Sequence, residues 1–157
     1  MAEMRMKRAG RGVLALLLLA VAGCGKGPPL VTEVEGVVLL NNQPLPSALV
    51  EFLPQEQLGP EWISRGSTDA RGHFTLSFPY ANKTGAVVGK HKVTLRDAPP
   101  PAEARGMSVE AQKRAAQYKR GLANRPIPEQ YGSATLTPLE IEITADKKSY
   151  ELKLTRQ

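Results

Sequence analysis

Leu139-Glu140-Ile141-Glu142-Ile143, a turn at Ala145-Asp146-Lys147-Lys148, and then Tyr150-Glu151-Leu152-Lys153-Leu154 decide the fold class of this chain. Apolar and polar residues alternate on both sides of the turn. That period puts Leu139, Ile141 and Ile143 on one face, opposite Glu140, Glu142 and Thr144. It then puts Tyr150, Leu152 and Leu154 opposite Glu151, Lys153 and Thr155. Side chains of a β-strand alternate between its faces, so each run has one face for a core and one for water. The two runs read as an antiparallel hairpin covering a core.

The same signal recurs upstream in shorter pieces. Thr32 to Leu40 is rich in Val and Leu and ends at the turn cluster Asn41-Asn42-Gln43-Pro44. Ala48, Val50 and Phe52 share one face of a second strand, which Pro54 ends. Residues 55–60 read as a loop and Trp62 to Thr68 as a third strand. Asp69-Ala70-Arg71-Gly72 is a tight turn, because Asp can bond its own backbone and Gly can take positive φ. His73 to Phe78 follows, with Phe74, Leu76 and Phe78 on one face. Gly85 to Arg96 gives another strand, in which Val93 and Leu95 alternate with Lys92, Thr94 and Arg96. The expectation is an all-β domain of seven antiparallel strands, packed as two sheets in an immunoglobulin-like sandwich.

Residues 97–137 break the pattern and read as a surface crossover, partly helical or partly mobile, inserted before the last hairpin. Ser108 is placed to cap a helix running to about Arg120, with Gly121 as its stop. Ala111, Ala115, Tyr118 and Leu122 fall on one side at helical spacing, with Lys113 and Arg120 opposite. Pro126-Ile127-Pro128 favours an extended exit.

The N-terminus speaks to location. Arg5, Lys7, Arg8 and Arg11 precede Val13 to Ala22, an almost pure run of Leu, Ala and Val. Ten apolar residues are too few to span a bilayer as a helix, which needs ~20. They match the apolar core of a secretory signal. Val21-Ala22-Gly23-Cys24 follows, and Cys24 is the only cysteine. This stretch resembles the bacterial lipobox, with Val21 where Leu is usual. The resemblance implies a signal peptide over 1–23, export, cleavage before Cys24, and a diacylglyceryl thioether with an amide-linked acyl chain such as palmitate. Acylation also accounts for a lone thiol in an oxidising compartment. Residues 24–30, including Gly25-Lys26-Gly27-Pro28-Pro29, form a Gly/Pro tether, and the domain occupies 31–157. No Asp follows Cys24, so the expected site is the outer membrane, facing the periplasm. Losing the leader lowers the formal charge from +6 to +3, which gives no case for nucleic acid.

The domain carries a second resemblance. Val34 to Val38, Asn42-Gln43-Pro44-Leu45 and Ala48 to Phe52 resemble the opening of the carboxypeptidase regulatory-like domain. Thr68-Asp69-Ala70-Arg71-Gly72-His73-Phe74 is similar to its Thr-Asp-x-x-Gly-x-Phe turn. Gly85 to Val93 looks like its following strand. Ile127-Pro128-Glu129-Gln130-Tyr131 resembles the same region of small exported lipoproteins that carry this domain alone. The resemblance implies a transthyretin-like sandwich, and in most cases a non-catalytic accessory module.

No residue constellation argues for catalysis. Asp69, His73 and Ser77 could be assembled into a triad on paper, but no nucleophile elbow surrounds Ser77. Asp69 and His73 lack the partners of a metal site. No catalytic residue, metal ligand or cofactor is therefore expected. Trp62 and Tyr80 are candidates for a ligand surface, because aromatic rings near loops can stack on a sugar or a peptide. The competing reading makes Trp62 a cap on the end of the core. Lys113, Arg114, Lys119 and Arg120 form a basic cluster that suits lipid phosphates or an anionic wall polymer, or is simply a solvated face. The leading expectation is a lipid-anchored, non-enzymatic envelope module with an interaction or structural role, bound to membrane lipid through Cys24 and open to an envelope protein or glycan partner. The alternative is an envelope glycan or wall-polymer receptor, and a hydrolase with an unrecognised site ranks last.

Overall fold

The computed structural model describes residues 29–56 and 59–156. The proposed signal peptide, Cys24 and all but the end of the tether lie outside the described residues. Among the described residues there are twelve strands: β1 (Val31–Thr32), β2 (Glu35–Leu40), β3 (Gln43–Pro44), β4 (Ala48–Pro54), β5 (Ser64–Ser67), β6 (His73–Thr75), β7 (Ser77–Phe78), β8 (Lys83–Thr84), β9 (Ala86–Val87), β10 (Gly89–Asp97), β11 (Glu140–Ile143) and β12 (Ser149–Leu154). The helix α1 spans Val109–Ala123. A six-stranded sheet runs β11-β10-β4-β5-β7-β8, a four-stranded sheet joins β12, β2, β3 and β6, and β1 pairs with β9. The architecture is mostly β, sandwich-like, with two main sheets sharing one core. Val38, Leu40, Leu152 and Leu154 from the smaller sheet meet Val50, Phe52, Val93, Leu95 and Ile143 from the larger. Each such side chain contributes about 1.5–3 kcal/mol when fully buried.

The closing hairpin does not form. β11 pairs with β10, placing Ile143 opposite Gly89. β12 pairs with β2, placing Tyr150 opposite Gly36, and this pairing is parallel. The expected seven antiparallel strands in two sheets are thus corrected to twelve strands among the described residues, with one parallel pair. Alternation fixes which face of a strand is apolar, not which strand lies beside it. With β11 and β12 on opposite sheets, both apolar faces close on the same core. The connecting segment is a corner, held by Tyr150, whose hydroxyl donates to the Lys147 carbonyl at 3.1 Å and accepts from the Thr144 amide at 3.4 Å.

A similar crossing divides His73 to Phe78. Phe74, Leu76 and Phe78 are all buried. However, β6 belongs to the smaller sheet and β7 to the larger. Leu76 sits at the crossing, its amide donating to Val34 and its carbonyl accepting from Gly85. The expected strand from Trp62 is shorter, because Pro60–Trp62 is a 3-10 turn and β5 starts at Ser64. The run from Gly85 divides into β9 and β10, which part at Val88, next to Gly89 with its positive φ.

The turns follow the sequence closely. Asn41 and Asn42 both take positive φ, the two-residue hairpin geometry that Asn tolerates. Asp69 Oδ1 accepts from the amides of Arg71 at 2.8 Å and His73 at 2.9 Å, and Gly72 has φ +77°.

The insert is helical and tied down. Ser108 Oγ accepts from the Ala111 amide at 3.1 Å, as a capping serine should. The helix passes through Gly121 and ends at Ala123, so Gly121 is not its stop. Ala111 is buried, and Ala115, Tyr118 and Leu122 are half-buried. Tyr118 donates to the Ala98 carbonyl at 2.8 Å. Arg125 donates to Asp97 Oδ1 at 2.9 Å and to the Ser47 carbonyl at 2.8 Å. Tyr131 then enters the core, where it is 3% exposed.

Candidate functional site

Trp62 and Tyr80 come from separate turns and meet. Pro60 opens the first turn with φ already suited to it, and the Trp62 amide donates to Gly59 at 3.0 Å. Pro79 opens the second, which Asn82 closes in the left-handed region at φ 49°. The two ring centroids lie 4.9 Å apart at 35°. Trp62 also stacks on Phe78 at 5.6 Å and 24°. Phe78 is 1% exposed, Trp62 half-buried and Tyr80 66% exposed. Trp62 therefore joins a buried ring to an exposed one. It caps Phe78 and, with Tyr80, also presents aromatic surface, so the two readings of Trp62 are compatible.

The triad on paper is not assembled. His73 pairs across to Val37 in the smaller sheet, while Ser77 pairs with Arg65 in the larger. His73 is exposed opposite buried Phe74. Asp69 is engaged by backbone amides of His73 and Arg71, which hold its carboxyl below the usual value. Among the described residues, no group of three His, Cys, Asp or Glu side chains converges to hold a metal ion. No helix among them is long and apolar enough to cross a membrane.

Three features lie outside the sequence reading. Glu51, 7% exposed, accepts from Arg65 Nε at 2.7 Å and from Arg96 Nη2. His91 is fully buried beside Phe52, with ring centroids 5.8 Å apart. Its Nε2 lies 2.8 Å from the Val87 carbonyl, and its Nδ1 meets no hydrogen-bond partner among the described residues. Burial pushes its pKa below the ordinary value. The signal was present in the sequence, since His91 falls in phase with Val93 and Leu95. Finally, a cleft of about 490 Å³ lies between α1 and the end of β10, lined by Leu122, Ala123, Pro126 and Ile127, with Arg96 and Lys119. The basic residues Lys113, Arg114, Lys119 and Arg120 are all exposed, and none forms an ion pair among the described residues.

Compared with protein-family models, curated proteins and solved structures, the chain matches none.

Proposed function

We propose that this chain is a lipid-anchored, non-catalytic envelope module that binds or positions another envelope component. Its domain is read as a transthyretin-like sandwich of the carboxypeptidase regulatory-like kind. The observation that carries the reading is Val21-Ala22-Gly23-Cys24 at the end of a ten-residue apolar run, Val13 to Ala22, that follows a basic segment. Acylated Cys24 would hold the domain to the periplasmic face of the outer membrane. Two acyl chains or more give stable anchoring, at about 0.8 kcal/mol per buried CH₂. The compact domain and the formed Thr68–Phe74 turn accord with the family reading.

Crosslinking in living cells, with the full-length protein and with Cys24→Ala, tests the interaction role. A discrete partner captured by the first and lost with the second is the expected result. Capture of only abundant envelope neighbours by both would contradict it.

The 4.9 Å approach of Trp62 and Tyr80 favours glycan binding as the second reading. Trp62 is the only tryptophan, so its fluorescence reports this surface alone. Emission unchanged across a panel of envelope polysaccharides would remove the glycan reading.

A further inference from the structure

The strand registers place the aromatic cluster at the end of the sandwich where the chain enters. The Val88 amide donates to the Leu30 carbonyl at 2.8 Å, and Val31 pairs with Val87, just before β10 begins. β4 runs antiparallel to β10, with Pro54 opposite His91, so Pro54 lies at this entry end. β5 runs antiparallel to β4 with Ser64 opposite Phe52, which puts Pro60–Trp62 at the same end. β7 runs antiparallel to β5 from Ser77 opposite Arg65, and so carries Phe78 and the Pro79–Ala81 turn the same way. The helix α1 is at the other end, where Tyr118 and Arg125 fasten it to Ala98 and Asp97.

We propose that Trp62 and Tyr80 seat the domain on the headgroup layer of the bilayer that holds Cys24. The proposal rests on the lipid-anchor reading. Five residues, Gly25 to Pro29, lie between Cys24 and Leu30, and six fully extended steps reach about 20 Å. The entry end is thereby confined near the membrane surface, and the two rings with it. Trp and Tyr favour the membrane–water interface, because each ring has an apolar body and a polar tip. The geometry at this end fits that environment: Tyr80 is 66% exposed and Leu30 is 61% exposed. Exposed Lys83, Lys90, Lys147 and Lys148 at this end are outnumbered by exposed acids, among them Glu61 and Asp146, so charge does not draw it to lipid and the rings supply the preference. The basic outer surface of α1 then faces away from that bilayer.

The test uses the full-length acylated protein in vesicles of phosphatidylethanolamine and phosphatidylglycerol, with and without brominated phosphatidylcholine. Flotation reports anchoring, and Trp62 emission reports seating. A second protein, Trp62→Phe with Gln117→Trp, moves the reporter to the exposed surface of α1. The expected result is flotation of both, about a twofold loss of emission from Trp62 in brominated vesicles, and no loss from the helix reporter. Flotation with Trp62 unquenched by bromine and open to aqueous iodide would overturn the seating and leave the anchor standing. Equal quenching of both reporters would also overturn it. Failure to float would remove the anchor and the seating together. Shielding of Trp62 by an added envelope polysaccharide, without bromine quenching, would assign the rings to glycan instead.

Discussion

Thr68 Oγ1 donates a 2.7 Å hydrogen bond to the carbonyl of Leu45, and the same oxygen accepts from the Ala48 amide at 2.8 Å. One hydroxyl thus satisfies two backbone groups where the chain turns into β4. Thr68 is 6% exposed, so water has little access to replace it. Thr68→Val keeps the shape and leaves both groups unpaired. The expected cost is about 2 kcal/mol, measured by urea unfolding. A change within error would show that the pair has other partners.

Asp69 gives an acid-side prediction. Backbone amides of His73, then of Arg71, hold its carboxyl below its ordinary value of 3.8. The folded protein therefore binds this proton less readily than the unfolded chain does. The resulting stability is complete above the ordinary value and is lost as pH falls through the folded one. Asp69→Asn keeps an acceptor but removes the charge, so the variant should lose less stability than the parent below about pH 4. Glu33, Glu140 and Asp146 are depressed too, so the difference between the two proteins is the quantity to measure. Parallel pH–stability curves would contradict the assignment.

His91 acts at higher pH. Its burial lowers the folded value below the ordinary 6.5, so the unfolded chain protonates first on acidification. Stability is full above the ordinary value and declines as pH falls toward the folded one. His91→Leu should flatten this decline between about pH 7 and pH 5. It should also lower stability at neutral pH by about 1–3 kcal/mol, since the Val87 carbonyl loses its donor. A variant that keeps the decline would place the titrating group elsewhere.

Gly36 tests the parallel pairing of β2 with β12. A Cβ added there would collide with the Tyr150 carbonyl and come within 2.8 Å of the Phe74 ring. Both neighbours are held, one by the strand pairing and the other by the core. Gly36→Ala should therefore cost about 1–3 kcal/mol or unfold the domain. Free accommodation of alanine would mean that β12 does not lie beside β2.

Much of the fold is legible in the sequence because its signals are local. The alternation of Leu139 to Leu154 identifies strands and their buried faces. Asn41-Asn42 and Asp69 to Gly72 mark turns through φ preferences and side-chain acceptors. Ser108 marks a helix start. What escapes is non-local. Nothing within residues 139–154 tells that the strands separate into two sheets, because a hairpin and a corner present the same alternation. The crossing at Leu76 is hidden for the same reason. Gly121 misleads in a different way: glycine often ends helices, but here the residues after it still have a packed face, with Leu122 half-buried, and the helix continues. The meeting of Trp62 with Tyr80 depends on strand register across β5 and β7. Their selection from sequence rested on residue type and loop position alone. The proposed location rests on residues 1–24 alone and is independent of the fold.

Intact mass of the protein purified from bacterial membranes is the most direct test of the anchor. The account predicts a chain beginning at Cys24, heavier than its sequence by a diacylglyceryl group and an amide-linked acyl chain. Cys24→Ala should lose that mass and leave the membrane fraction. A mature chain with an unmodified Cys24, or one cleaved elsewhere, would contradict the account.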